Sequence, residues 1–351
     1  MGVSKAEGIV PMEERIVAAD TARYKFVRKD WFAYNPMRLN IGSIARWPGE
    51  NDILVSPDYV VFKCKGAGPY RLDPAYLDHF RRSDAWDEFV SEKGDGSVRV
   101  RIYYKDLARL QLALPSFPEQ QKIADCLAAV DALIAAQGRK VEALRAHKKS
   151  LMRQLFPRDG ETRPRLRFPK FEEVGDWEEG TVEEIIVTIT PPKKLQTSDY
   201  QSEGAFPIVD QSQDYICGWT NDGEAVIDKR LPVIVFGDHT CALKFVDRPF
   251  VQGADGIKIF GPKRGIDVRF LFYALEANPV TQERYKRHFS VLKEKKLSFP
   301  DSKSGEQQHI ANCLTSLDDL ITAESQKLDT LKTHRKGLMQ QLFPSVGEDD
   351  A

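Results

Sequence analysis

Basic and amide side chains gather in the turn-rich loops of the chain. Arg38 and Asn40, with Arg28, Lys29 and Arg46 nearby, stand among short strand-like runs near the start. Lys193, Lys194, Gln211, Gln213, Arg230, His239 and Lys244 are spread over the loops of a later stretch. Arginine and lysine position phosphates, while glutamine, asparagine and arginine can match donors and acceptors on base edges in the major groove. The chemistry open to this set is recognition of double-stranded DNA. For any single residue the alternative is an ordinary solvated loop position.

Enzymatic chemistry lacks its residues. No G-x-x-x-x-G-K-[ST] loop is present to cradle phosphates, and no G-x-G-x-x-G follows a strand-like run. Asn35-Pro36-Met37-Arg38 is similar to the N-P-P-aromatic motif of amino-methyltransferases but lacks the second proline and the aromatic. Pro191-Pro192 lacks a preceding Asn or Asp. His147 and His334 have neither the partner nor the pocket a general base needs, so both are expected on solvated helix faces. The five cysteines form no C-x-x-C pair, which argues against structural zinc. Cys126 and Cys313 are expected as small core residues. No catalytic residue, metal or bound cofactor is assigned to the chain.

Composition sets outer bounds. The 351 residues allow two or three domains, and 42% hydrophobic with 29% charged content is ordinary for a globular protein. A net charge of −1 means that any DNA contact must come from local patches. An odd cysteine count without a signal peptide fits a reducing cytoplasm. No apolar run approaches the roughly 18 residues of a membrane span.

One stretch, occurring twice, must position the loops. Residues 119–157 read EQQKIADCLAAVDALIAAQGRKVEALRAHKKSLMRQLFP, and residues 306–344 read EQQHIANCLTSLDDLITAESQKLDTLKTHRKGLMQQLFP. Roughly 21 of the 39 aligned pairs are identical without a gap, an internal repeat far above chance. Apolar residues recur in alternating steps of four and three. They are Ile123, Leu127, Val130, Ile134, Val141, Leu144, Leu151 and Leu155 in the first copy. In the second they are Ile310, Leu314, Leu317, Ile321, Leu328, Leu331, Leu338 and Leu342. This is a heptad seam, and it calls for one long partner. Gln137 and Glu324 interrupt it at matching places, as do Lys148 and Arg335. Ser116 with Glu119, and Ser304 with Gln307, fit the capping box. Pro118 suits a first turn, and Pro157 and Pro344 end the helices. At about 1.5 Å per residue each helix would span about 57 Å.

Chain order gives the geometry. The first helix leaves one body and enters a second, and the second helix leaves that second body. If the seams pack together, the helices form an antiparallel spacer with a body at each end. Gln137 and Glu324 then either meet and fix the register or both point to solvent.

The first body holds strand-like runs at residues 24–27, 31–34, 53–55 and 59–63, a helix over 73–89, a turn at 94–96 and a strand at 98–103. Its opening fifteen residues show no strand alternation. The second body follows an Arg-, Pro- and Gly-rich linker at 158–170. Strands are expected within 182–189, 206–209, 215–218, 225–227, 233–236, 241–246 and 256–260, and a helix over 268–278. The bodies echo each other weakly. Phe32-Ala33-Tyr34 with its following loop matches Ile234-Val235-Phe236 with its own, and Leu72-Asp73 and Ile266-Asp267 each open a helix. The repeat unit is therefore a body plus a helix, used twice.

The doubled EQQ-x-IA-x-C-L…D-x-L-I…LMxQLFP helix resembles the repeated helical regions of type I restriction–modification specificity subunits. The stretch from Trp177 to Phe299 looks like a complete target recognition domain of that family. The first body looks like the later part of one, through SPDYVVF at residues 56–62 and the approach to the helix at residues 107–115. The resemblance implies an α/β (α+β) chain with two mixed, mainly β target recognition domains joined by a long antiparallel two-helix coiled coil, as a pseudo-two-fold repeat. The expected divisions are 1–115, 116–157, 158–300, 301–344 and an acidic tail at 345–351.

The resemblance also implies function. Each recognition domain would read half of a bipartite DNA site. The helices would dock two methyltransferase subunits, which carry S-adenosylmethionine, and restriction or motor subunits would join them; no membrane is involved. Family members open the first recognition domain with a Trp-containing segment like that at Trp177, and about 30 to 40 such residues are expected to be absent before Met1. That suggests weak DNA binding by the first body alone. The alternative is a truncated or split specificity-like protein that assembles with, or interferes with, methyltransferase subunits without full sequence recognition.

Overall fold

The computed structural model describes residues 1–4, 8–11, 22–92, 101–112, 114–158, 160–254, 256–282 and 287–344. Heptad-spaced apolar residues, ended by proline, produce two uninterrupted helices, Phe117–Leu155 and Glu306–Leu342. Every seam position from Ile123 to Leu155 and from Ile310 to Leu342 is buried or half-buried, the polar interruptions included. The chain divides into two units, one of residues 1–139 and 325–351, the other of residues 140–324. Each helix therefore contributes one half to each unit.

Within each unit the helix halves run antiparallel. In the first unit Ala124 and Leu127, early in their helix, share a core with Met339 and Phe343 at the end of the other. In the second unit Met152 and Leu155, late in their helix, pack with Ile310, Ala311 and Leu314 at the start of the other. Two interrupting residues also serve this pairing. Arg335 forks onto Asp131 in the first unit, and Lys148 reaches Asp318 at 2.8 Å in the second. Gln137 is buried, and Glu324 pairs with Lys140, so neither simply faces water.

The second unit's body is built on two four-stranded sheets. One is antiparallel, in the order Leu243–Val246, Val233–Gly237, Ile257–Pro262, Ile186–Ile189. The other runs Gly218–Thr220, Phe206–Val209, Phe250–Gln252, Val226–Ile227, with its two middle strands parallel. A further pair joins Glu178–Thr181 to Lys296–Phe299. Helix Val268–Ala277 packs Phe270, Leu271 and Ala274 into the core shared with the long helices.

The first unit repeats part of this plan. Phe32–Tyr34 lies between Ile44–Arg46 and Val60–Phe62, as Val233–Gly237 lies between its own neighbours. Lys25–Val27 pairs with Ile53–Val55, and Gly2–Ser4 with Gly8–Val10.

Several elements depart from the sequence expectation. The opening does pair as strands, which at three residues are too short to show alternation. The helix expected over 73–89 breaks into Pro74–Phe80 and Asp84–Glu92, where the Ser83 hydroxyl accepts from the Trp86 amide and starts a new turn. Residues 101–103 are not strand, and residues 94–96 and 98–100 lie outside the described residues, as does the acidic tail. Thr181 and Glu184 form a capping box that turns Val182–Ile185 into one helical turn before the strand begins. The strand expected at 215–218 lies at Gly218–Thr220, and Phe250–Gln252 and helix Phe289–Glu294 were not foreseen. Cys126 is exposed and Cys313 half-buried, because Ala124 and Ala311 take the small buried positions two residues earlier. His147 and His334 are exposed.

Candidate nucleic-acid interface

A central strand in each unit delivers a polar loop at one end of its sheet. In the second unit that loop is 237–242. Cys241 N–H donates to the Gly237 carbonyl, and Asp238 N–H donates to that of Gly256 at 2.6 Å. The Thr240 hydroxyl donates to the Gln211 carbonyl at 2.6 Å, and the amide of Phe289 donates to the Asp238 carboxylate at 2.8 Å. Three other segments are thus tied to one loop, so its exposed His239 rests on a rigid base. Gly256 makes the fit possible: its φ is +97°, and a Cβ there would stand 2.7 Å from Gln211 Oε1.

Strand register decides which candidates share this end. Gly237 lies opposite Ile257, and Ile189 opposite Ile259, so the chain leaves toward Lys193 and Lys194 beside the loop. Gln213 is exposed on the 210–214 segment that Thr240 holds. Arg230, at φ 64°, precedes Val233 and so lies at the opposite end of the strand from His239. Exposed Lys258, opposite Phe236, and Arg287, beside the anchored His288, complete the loop end. Neither was singled out from sequence, where Lys258 reads as one more strand residue.

Two candidates have structural tasks instead. Lys244 is only 5% exposed and donates to the carbonyls of Asp210 (2.8 Å) and Asp214 (2.5 Å). Burial pushes its pKa down, and its ammonium staples the 210–214 loop rather than meeting phosphate. Gln211 is half-buried against Gly237 and Gly256. Lys193 bonds the Asp222 carboxylate at 2.6 Å, and this bond raises its pKa.

The first unit shows the same separation. Arg38 and Asn40 are exposed in loop 35–43, which carries exposed Met37 and Ile41 as well. Asn35 Oδ1 accepts from the Met37 amide at 3.0 Å, so this asparagine shapes a turn. The cations at the other end are paired. Arg28 faces Asp52 at 3.6 Å, Lys29 bonds Glu50, and Arg46 reaches Asp30 at 3.2 Å.

The doubled EQQ motif fixes each body to its helix. Gln120 Oε1 accepts from the Asp73 amide at 2.8 Å, and its Nε2 donates to the carbonyls of Arg71 (3.0 Å) and Pro115 (2.9 Å). Gln307 repeats this with Asp267 (2.7 Å), Gly265 (3.1 Å) and Pro300 (2.7 Å). Asp73 and Asp267 in turn cap the helices they open. Gln307 therefore does not close the capping box expected with Ser304, whose hydroxyl accepts from the Glu306 amide instead. Among the described residues no His/Cys/Asp/Glu cluster suits a metal ion, and no helix is long and apolar enough to cross a membrane.

No family model matches the chain. It is 24% identical, over 94% of its length and 81% of the relative's, to a chain of Methanocaldococcus jannaschii provisionally named the type I restriction enzyme MjaX specificity subunit. It is 23% identical to that organism's type I restriction enzyme MjaVIII specificity subunit, over 78% of this chain and 70% of the other. Among solved structures, the S subunit of a type I restriction–modification system from M. genitalium aligns at a TM-score of 0.57 and 17% identity, covering 92% of this chain and 85% of the other. A chain from a type I R-M system, solved to explain complex assembly and conformational transition, aligns at 0.55 and 16%, covering 93% and 85%. Over most of its length the chain is therefore similar to type I restriction enzyme specificity subunits, and it shares its fold with a solved S subunit.

Proposed function

We propose that the chain is the DNA sequence-specificity subunit of a type I restriction–modification complex. It recognises a bipartite site in double-stranded DNA and docks methyltransferase subunits, through which restriction subunits join. It carries out no catalysis itself. The observation that supports this best is the shared placement of loops 35–43 and 237–242. Each leaves the end of a central antiparallel strand, and each presents polar or cationic side chains on a hydrogen-bonded base. These loops and the segments beside them suit phosphate positioning by Arg38, Lys194, Lys258 and Arg287, and edge reading by Asn40 and Gln213. S-adenosylmethionine is assigned to the methyltransferase subunits, and the cytoplasm is the compartment where such a complex would meet DNA.

Methylome sequencing of a host carrying this chain with its methyltransferase tests the reading. Adenine methylation at one motif with two separated halves is expected; no motif, or one contiguous motif, would refute it. Within the assembled complex, His239→Ala should relax the half-site read by the second unit. Arg38→Ala should weaken binding and lower the salt-dependence slope by about one. An unchanged motif and slope would move the interface elsewhere.

A further inference from the structure

Loop 35–43 of the first unit carries two large apolar side chains that phosphate positioning and amide reading leave unexplained. Its backbone is braced throughout. Arg38 N–H donates to the Asn35 carbonyl at 3.0 Å, Gly42 N–H to that of Leu39 at 2.9 Å, and Ser43 N–H to that of Arg38 at 2.9 Å. Asn35 N–H closes the base of the loop on the Ser43 carbonyl at 3.0 Å. Two residues pin the loop to the body. Pro36 is buried, and its carbonyl accepts from the amide of fully buried Ile102 at 3.0 Å. Leu39, 1% exposed, belongs to the first unit's core.

Each pin is followed by two exposed residues, one apolar and one polar: Met37 with Arg38, then Asn40 with Ile41. Met37 is 52% exposed and Ile41 58%. Burial stabilises apolar side chains of this size, yet the braced backbone holds both in water. Among the described residues, no ion pair or side-chain hydrogen bond engages Arg38 or Asn40, so all four side chains are available together. In the major groove thymine alone offers an apolar group, its C5-methyl, and the paired adenine presents N6 and N7 to an amide. An asparagine beside an isoleucine therefore matches an A·T pair on both of its edges. The corresponding loop of the second unit, 237–242, has His239 as its one exposed residue and lacks the apolar half of this match.

We propose that Met37 and Ile41 are specificity-determining residues that read thymine methyl groups in the half-site of the first unit. The inference rests on the DNA reading of loop 35–43 and extends it from amide and guanidinium groups to apolar contacts. Because the loop is already hydrogen-bonded in this shape, the two side chains need no rearrangement of the backbone to meet the groove.

The test uses the full chain assembled with its methyltransferase subunits and duplexes carrying the methylated site, with binding read by fluorescence anisotropy. Replacing each thymine of the site in turn by deoxyuridine removes a methyl group and nothing else. At least one replacement is expected to weaken binding about fourfold, the worth of one buried methyl. In the double variant Met37→Ala, Ile41→Ala, the thymine and uracil forms of that duplex should bind alike. Met37→Leu with Ile41→Val should keep the discrimination. The readout is a ratio of two duplexes on one protein, so a loss of stability does not imitate it. Specific binding without any uracil effect, or with uracil effects that all survive the double variant, overturns the inference and leaves the DNA reading standing. Failure of the double variant to assemble with the methyltransferase subunits would make the pair a protein contact and also overturn it. Absence of sequence-specific binding by the unaltered complex overturns both.

Discussion

The two units share a joint and differ in its cover. In both, a glutamine from the EQQ motif gathers one amide and two carbonyls, and an aspartate cap starts the helix behind it. In both, an aspartate from the D-x-L-I motif takes a cation from the other helix. Among the described residues, the second unit alone adds a buried pair such as Arg167–Glu306 and an anchor such as Trp177. The same glutamate type is therefore a buried structural anion in one unit and a solvated surface charge in the other. Motif identity fixed the backbone joint, and the cover decided what the flanking charge does.

Paired substitutions turn that difference into a measurement. Glu306→Gln should cost about 3–5 kcal/mol, because it leaves the Arg167 guanidinium buried without its charge partner. Glu119→Gln should stay within about 0.5 kcal/mol, as exposed positions do. Urea denaturation followed by hydrogen exchange in each unit would show it. Equal effects would mean that the two glutamates are equivalent and the comparison fails.

The glutamine joint sharpens the likeness instead. Gln120→Ala and Gln307→Ala each strand one amide and two carbonyls at a body–helix junction. Each should cost about 1–3 kcal/mol, and the two costs should agree within the scatter of such measurements. A loss in one unit only would show that the shared geometry carries unequal weight.

Sequence made the repeat, the helices and the pairing direction legible, because a heptad seam is a local signal summed over many turns. It also gave the central strands and the two loops after them. The bodies' edges were less legible. Three-residue strands show no period, and single turns such as Val182–Ile185 depend on one capping box. Site residues were hardest. Lys244 and His239 look alike in a loop-rich sequence, yet tertiary packing buries one under two carbonyls and leaves the other exposed. The first glutamine of EQQ could have been found, since the same amide in two otherwise diverged contexts asks for a shared partner.

The smallest effect separates the units by pH. Where the second unit has Tyr273 donating to Asp318 at 2.7 Å, the first has His79, buried, with Nδ1 4.0 Å from Asp131. Burial, with Arg82 and Arg335 adding to it against the pull of Asp131 and Asp78, holds the His79 pKa below its ordinary 6.5. The unfolded chain then takes up the proton more readily than the folded one. Stability of the first unit is therefore full above about pH 6.5 and falls as pH drops below it, levelling once the folded histidine also protonates. His79→Tyr copies the second unit's side chain toward Asp131 and should flatten this dependence between about pH 7 and 5. Hydrogen exchange of residues 74–80 across that range, in both forms, gives the comparison. If acid instead protects the helix, the Asp131 attraction outweighs burial, and the two units solve the same contact by opposite means.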